Sequence, residues 1–398
     1  MQSRELLDTL IRFPTVSRDS NLDLIAFIRD YLAERGHASE LVHNEEKTKA
    51  NLYALIGPAD KPGVMLSGHT DVVPVDGQDW STDPFVMHES NGCLLGRGSC
   101  DMKGFIACVL SMIDSLEPDR LVTPLHLAFS YDEEIGCIGV RRLLEKLQLA
   151  PIKPRYCIVG EPTMMQPILA HKGKTAARIH CTGVECHSSL APQSVNAIYL
   201  AAELITYIQA MQQRLISTGL HDHDYDVTHT TLHVGRIDGG TALNIVPRHC
   251  SFDFEIRHLP DDDPQTLLDE IQQAAAKITQ PLRDKHPATN IEIEILNQYP
   301  ALNTSTDSDI VEFIRQLTGA NSFGKIAFGT EGGLFSRELG VETIVLGPGN
   351  IEQAHKPDEY ISLSQMQRCD EFLHQLADAL CHPSVSYTHL TLPTIYSV

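Results

Sequence analysis

No stretch of the 398-residue sequence comes near the ~20 consecutive apolar residues that a membrane-spanning helix requires, so no membrane role is expected. The opening residues, MQSRELLDTLIRFPTVSRDS, spread their charges through an amphipathic pattern. They show no basic start followed by an apolar run, so no secretory signal is visible and a cytoplasmic protein is expected. No Lys- or Arg-rich stripe occurs, and a formal net charge of -21 repels phosphate backbones, which sets nucleic acid aside as a partner. The ten cysteines include no CxxC pair, so a zinc ribbon or a thioredoxin-like motif has no support. In a chain with no visible signal they read as reduced thiols, and Cys93, Cys108, Cys157 and Cys181 sit in apolar runs as small core residues. There is also no GxSxG nucleophile elbow. Any metal would have to be held by imidazoles and carboxylates.

What is present is enough chain for two cores, because a single core stops growing at about 250–300 residues. Residues 3–12 and 21–35 have helical spacing, the second ending at Arg35-Gly36. Beyond Asn51 the runs NLYALIG, GVMLSGHTDVV, PLHLAFSYDEE and RYCIVGEP are short, apolar and bounded by Gly or Pro. They alternate with helical segments at 103–117 and 139–148, the pattern of an α/β layered domain with a partly parallel sheet. The middle differs. TAARIHCTGV, DVTHTTLHVGRI and RHCSFDFEIRHL alternate apolar and polar residues, while 194–215 and 264–280 are amphipathic helices, which indicates a small α+β insert with one sheet face exposed. The first pattern resumes after Asn297, with helices at 307–318 and 362–380. The expectation is a discontinuous α/β domain at 1–173 and 284–382 around an insert at 174–283, followed by a tail at 383–398 that belongs to neither.

Four acidic or histidine-bearing turns, GHTDVVP, GRGSCDMKG, YDEEIG and VGEP, punctuate the strand ends of the first domain, and AHKPDEY adds a fifth. Strand ends in such sheets are where ligands bind. Two metals about 3.5–4 Å apart need a shared carboxylate and further ligands for each, a count that His69, Asp101, Glu134, Glu161 and His355 meet. His69 and Asp71 are two apart, so on an extended segment the Asp71 carboxylate can orient the imidazole. Asp101 precedes a helix and reads either as its N-cap or as a bridging carboxylate. Glu133 and Glu134 are adjacent and point opposite ways from extended chain. If one binds metal, the other is free to move a proton.

GHTDVVP, GRGSCDMKG, YDEEIGCIG, VGEPT, FGTEGGLF and GPGNIEQAHKPDEYI together resemble the M20 metallopeptidase family, and the last two segments resemble its acetylornithine deacetylases. The resemblance runs to about residue 382. It implies a zinc-peptidase-like catalytic domain with a ferredoxin-like insert that serves as lid and dimerisation surface. It implies two divalent ions, zinc or cobalt, with His69, Asp101 and Glu161 around one and Asp101, Glu134 and His355 around the other. Glu133 would be general base and acid, with Asp71 the partner of His69. His187 would hold the oxyanion, often from across a homodimer, while Asn244 and Arg257 would hold substrate, the Arg by its carboxylate. The implied reaction is hydrolysis of a small acylated amino acid, N-acetyl-L-ornithine, to L-ornithine and acetate. Alternatives are another deacylase or dipeptidase of the family, such as a succinyl-diaminopimelate desuccinylase, or a non-catalytic metal-binding relative.

Overall fold

The computed structural model describes residues 1–382, so the expected tail at 383–398 lies outside the described residues. The larger sheet runs in the order Ser39–His43, Ala50–Ile56, Leu125–Ser130, Val64–His69, Tyr156–Val159, Glu342–Val345, Ile168–His171, Leu302–Asn303, with Gly324–Ile326 also paired to Ile168–His171. Its centre is parallel: Val64–His69 pairs in that sense with Leu125–Ser130 and Tyr156–Val159, and Tyr156–Val159 with Glu342–Val345. The strands at its centre are buried along their whole length, as helices on both faces require. Leu66, Leu127 and Ile158 face a core closed by helices Ser3–Ile11, Leu22–Glu34, Lys103–Ile113 and Leu363–Leu380. Met65, Ala128 and Cys157 alternate to the other face, under Val140–Gln148 and Gly332–Leu339. Because the central strands are parallel, their C-terminal ends, His69, Ser130, Val159 and Val345, open on one edge of the sheet.

The second unit is a four-stranded antiparallel sheet, ordered Thr231–Gly239, His249–His258, Gly173–Thr182, Asn290–Tyr299. Helices Ala197–Thr218 and Pro264–Arg283 pack on one face. Asn196 and Asp263 cap these helices through their side chains, each accepting from a main-chain N–H two residues on, and Pro264 occupies the first turn. Strand, helix, strand, strand, helix, strand is the ferredoxin-like order. This sheet reaches Tyr299, past the expected boundary at 283. The strand NIEIEILNQY completes it by pairing with Gly173–Thr182, a partner more than a hundred residues away that local patterning does not reveal.

A third, three-stranded sheet of His88–Ser90, Cys93–Leu95 and Tyr360–Ser362 joins the segment after Leu95 to the segment before Tyr360. Of the four cysteines expected in the core, Cys108, Cys157 and Cys181 are buried, whereas Cys93 lies on this small sheet and is partly exposed. Among the described residues no helix is long and apolar enough to cross a membrane.

Candidate metal centre

His69 ends its strand with the side chain fully buried. Its Nδ1 lies 2.9 Å from the main-chain oxygen of Asp71. A carbonyl can only accept, so Nδ1 carries a proton and Nε2 is the ring atom left to face away from the strand. Nε2 faces Asp101 Oδ1 at 3.0 Å and Glu161 Oε1 at 3.6 Å. The Asp71 carboxylate, expected from the sequence to orient this ring, stands farther off, 3.6 Å from Nδ1. It accepts instead from Ser17 Oγ (2.7 Å) and from the main-chain N–H groups of Glu133 (3.1 Å) and Glu134 (3.3 Å). The Asp71 backbone fixes the imidazole while its side chain fixes the two glutamates.

Asp101 is not a helix cap. The N-cap of Lys103–Ile113 is Met102, and the Asp101 carboxylate lies between the two histidines, Oδ1 toward His69 and Oδ2 3.3 Å from His355 Nε2. The turn that carries it is held from below by Glu359, a buried residue to which sequence reasoning gave no role. Glu359 Oε1 accepts from the N–H groups of Cys100 (2.9 Å) and Asp101 (3.0 Å). Its Oε2 accepts from Gly98 N–H (3.1 Å) and from Arg97 Nη1 (2.6 Å), whose side chain is also buried. The signal available was its place in the AHKPDEY segment.

Glu133 and Glu134 diverge. Glu134 Oε2 lies 3.0 Å from His355 Nε2, and its donor atom groups with those of His69 and Asp101, all within 4.8 Å of one another. Glu133 groups in the same way with His69 and Glu161, and its Oε1 accepts a weak hydrogen bond from Cys137 Sγ at 3.4 Å. His355, by contrast with the buried ring of His69, is exposed and has a left-handed φ of 62°.

Four carboxylates and two imidazoles share this space, and the electrostatic strain shows in their protonation. Burial, then His69 opposed by Glu134, Glu331 and Asp101, leaves Glu133 pushed up to about 8. Burial and the Asp101 charge push Glu134 up to about 7, and burial with the Asp101 charge holds Glu161 well above the usual carboxylate range. Hydrogen bonds to Asp101 and Glu134 lift His355 to about 10, and Glu161 and Asp101 hold His69 well above an ordinary imidazole against the burial that would lower it. With all four carboxylates ionised, even two protonated rings would leave the cluster net negative, so without cations it keeps protons; two divalent cations would balance four carboxylates with the imidazoles neutral. Glu134 Oε1 is buried without a hydrogen-bond partner, and an unpaired buried carboxylate oxygen is costly unless a cation meets it. The donor set and this orphaned oxygen fit a pair of divalent ions. Behind His69, Glu331 is a second buried acid that the sequence reading passed over. It accepts from Ser67 Oγ at 3.3 Å, and burial pushes it up to about 7.

The three remaining candidates lie on the insert. His187 and Asn244 are neighbours: Ser188 N–H donates to Asn244 O (3.0 Å), and His187 pairs with Ile245 in an isolated bridge. The exposed His187 ring accepts the Ser189 N–H at Nδ1 (3.2 Å), which leaves Nε2–H as its donor. Arg257 is half-buried and engaged by Glu255, through Nε at 3.0 Å and Nη2 at 3.5 Å. Among the described residues none of the three is hydrogen-bonded or ion-paired to the acidic cluster.

The model of peptidase family M20/M25/M40 matches residues 65–379. The acetylornithine deacetylase of Proteus mirabilis (strain HI4320) is 34% identical over 385 residues, covering 95% of this chain and 96% of that protein. The acetylornithine deacetylase of Myxococcus xanthus is 32% identical over 383 residues, covering 95% and 97%. Among solved structures, an M20-family metallo-carboxypeptidase from Sulfolobus solfataricus superposes with a TM-score of 0.76 at 19% identity, covering 96% of this chain and 99% of that one. A dinuclear metal-binding peptidase of the M20 family from Bacillus subtilis gives 0.64 at 14%, covering 95% and 97%. With the family model spanning most of its length and relatives about a third identical over 95% of it, this chain belongs to peptidase family M20/M25/M40 and is a metallo-hydrolase.

Proposed function

We propose that the enzyme hydrolyses the amide of N-acetyl-L-ornithine, releasing L-ornithine and acetate. What carries the choice of substrate is the identity of about a third, over nearly the whole length, to proteins named acetylornithine deacetylase. In this reading His69, Asp101 and Glu161 hold one divalent ion and Asp101, Glu134 and His355 the other, zinc or cobalt by the chemistry of the donors. When bound, the ions would supply Lewis acidity toward the amide carbonyl and would lower the pKa of an attacking water.

The chain's own groups do the rest. Glu133 groups with His69 and Glu161 but is assigned to neither ligand set, so in this reading it takes the water's proton and returns it to the departing amine. Cys137 and the Asp71-anchored backbone hold Glu133 in that position. His187 presents Nε2–H to the developing oxyanion after the insert closes or from a second copy. Asn244 and the nitrogen of Arg257 not used by Glu255 grip the substrate, whose α-carboxylate would share the guanidinium with Glu255. The edge strand Thr231–Gly239 and the exposed Tyr199 and Tyr207 of the adjacent helix form the surface through which a homodimer would assemble. The enzyme would act in the cytoplasm.

Amine release from N-acetyl-L-ornithine by the metal-replete protein, measured beside N-succinyl-diaminopimelate, tests the reading. Rapid turnover of the first that collapses in Glu133→Ala is expected. Preference for the second substrate would overturn the substrate assignment, and full activity in Glu133→Ala would overturn the mechanism.

A further inference from the structure

Of the proposed ligands, His355 is the least supported by burial. It sits on a loop, exposed, in a backbone conformation that a non-glycine residue adopts only when neighbouring structure imposes it. Gln78, on the loop that follows GHTDVVP, supplies a contact to that backbone: its Nε2 donates to the main-chain oxygen of His355 at 2.9 Å. Its Oε1 accepts from Arg97 Nη2 at 2.6 Å and from Trp80 Nε1 at 3.0 Å. Arginine and indole nitrogens only donate, so the amide oxygen must face them and the amide nitrogen must face His355. The amide cannot flip without losing all three bonds.

The other arm of the same guanidinium, Arg97 Nη1, binds Glu359, which holds the Asp101 N–H. One buried arginine therefore connects to the backbone of Asp101 through Glu359 and to the backbone of His355 through Gln78. Ser81 reinforces the second connection, its N–H and Oγ both lying 2.9 Å from Asp358 Oδ1.

We propose that Gln78 is a positioning residue of the metal centre. By holding the His355 carbonyl it keeps Nε2 of that imidazole over Asp101 and Glu134, and so sets the affinity for the ion on the His355 side while leaving the His69, Asp101 and Glu161 side unchanged. The proposal rests on the assignment of His355 as a ligand.

The test is titration of metal-free wild type, Gln78→Glu and His355→Ala with Co²⁺, followed by calorimetry and visible absorption. Gln78→Glu retains an oxygen for Arg97 and Trp80 but sets a second carboxylate oxygen against the His355 carbonyl, so it breaks one bond of three. Wild type should take up two ions and His355→Ala one. Gln78→Glu should keep the first step and weaken the second about 10-fold or more, with the melting temperature of the metal-free protein unchanged. Gln78→Ala should weaken the second step likewise, with a lower melting temperature because it also removes the acceptor of Arg97 and Trp80. Wild-type uptake by both Gln78 variants, or equal weakening of both steps, would overturn the proposal while leaving the ligand set intact. Two ions bound by His355→Ala with wild-type affinity would overturn the ligand assignment, and this proposal with it.

Discussion

Replacing Glu359 by Gln asks whether the turn bearing Asp101 is held from outside the metal site. The side chain is 1% exposed and accepts four hydrogen bonds, two at each oxygen. Glutamine has the same shape, but one end becomes a donor. With its oxygen toward Arg97 and Gly98, its nitrogen confronts the N–H groups of Cys100 and Asp101. Reversed, it confronts a buried guanidinium. The first arrangement is milder and still leaves two main-chain donors unmet, at about 1–3 kcal/mol each. It also strips the charge partner from buried Arg97, and breaking a buried pair by removing one member costs about 3–5 kcal/mol. The two figures describe overlapping parts of one loss, so the expected destabilisation is about 3–5 kcal/mol. For a domain of ordinary stability, about 5–15 kcal/mol, the variant still folds. Urea denaturation of the metal-free protein would show the midpoint falling. Cobalt titration would show both uptake steps weakened, because Asp101 faces both histidines, in contrast to the single step affected by Gln78→Glu. A Glu359→Gln protein within 0.5 kcal/mol of wild type (roughly the scatter of a neutral surface substitution) that also bound both ions normally would refute the reasoning.

The crowded carboxylates make the metal-free protein sensitive to pH. Glu133 and Glu134, raised to about 8 and about 7, retain protons in the folded state that the unfolded chain gives up near 4.5, and His355, raised to about 10, does so above 6.5. The folded state thus binds more protons throughout this range, so stability falls as pH rises from about 5 to about 9. Melting of chelator-treated protein should drop between pH 6 and pH 8.5, and the gain on adding metal should be larger at pH 8.5; an equal gain at both pH values would contradict this. Glu133→Gln removes one ionisable acid from the cluster and should stabilise the metal-free protein at pH 8.5 by at least about 1 kcal/mol, while activity falls about 100-fold or more. A metal-free variant less stable than wild type would count against the proposed crowding. Lys325, on strand Gly324–Ile326, pairs with Asp222 (2.7 Å) and Asp224 (3.0 Å) of the insert. The partners are partly exposed, so Lys325→Ala should cost no more than about 1 kcal/mol but raise hydrogen exchange across 221–229; unchanged exchange would show that the ion pairs do not secure that segment.

Local periodicity made the helices legible. The expected 264–280 and 362–380 are observed as Pro264–Arg283 and Leu363–Leu380, because each has a continuous apolar stripe and a side-chain cap at its start. Asn290–Tyr299 was not legible as part of the insert. Its alternation Ile291-Glu292-Ile293-Glu294-Ile295 marks a strand, with Ile291 and Ile293 toward the insert's core, but its membership is decided by a partner on the far side of two helices and two strands. At the centre, each motif supplies its chemistry from residues contiguous in sequence, which is why the donors could be named from the sequence. Glu359 and Gln78 could not, because their importance lies in what they touch, Asp101 and Arg97 in one case and His355 and Arg97 in the other. Asp71 is an intermediate case: a partnership with His69 was readable from the spacing of two, but its division between carbonyl and carboxylate was not.

The same contrast separates the rigid part of the site from the part free to move. His69, Asp101 and Glu161 stand on buried strand ends or on a turn with four hydrogen bonds to a buried acid, where each unmet donor or acceptor costs about 1–3 kcal/mol and a broken buried ion pair about 3–5 kcal/mol. The insert meets the larger unit near the junction through Lys325 with Asp222 and Asp224, through Lys172 donating to the His229 carbonyl, and through buried Tyr225, which both lysines approach within 6 Å of the ring centre. The partly exposed Lys325 pairs contribute about 1 kcal/mol or less each, whereas the contacts of buried Lys172 and Tyr225 are desolvated and hold the junction more firmly. The proposed rotation of the insert therefore turns about this buried junction and leaves the carboxylates undisturbed. In the proposed cycle, His187 and Asn244 are the groups delivered by motion, and Glu133 and the ligand set are fixed before substrate arrives.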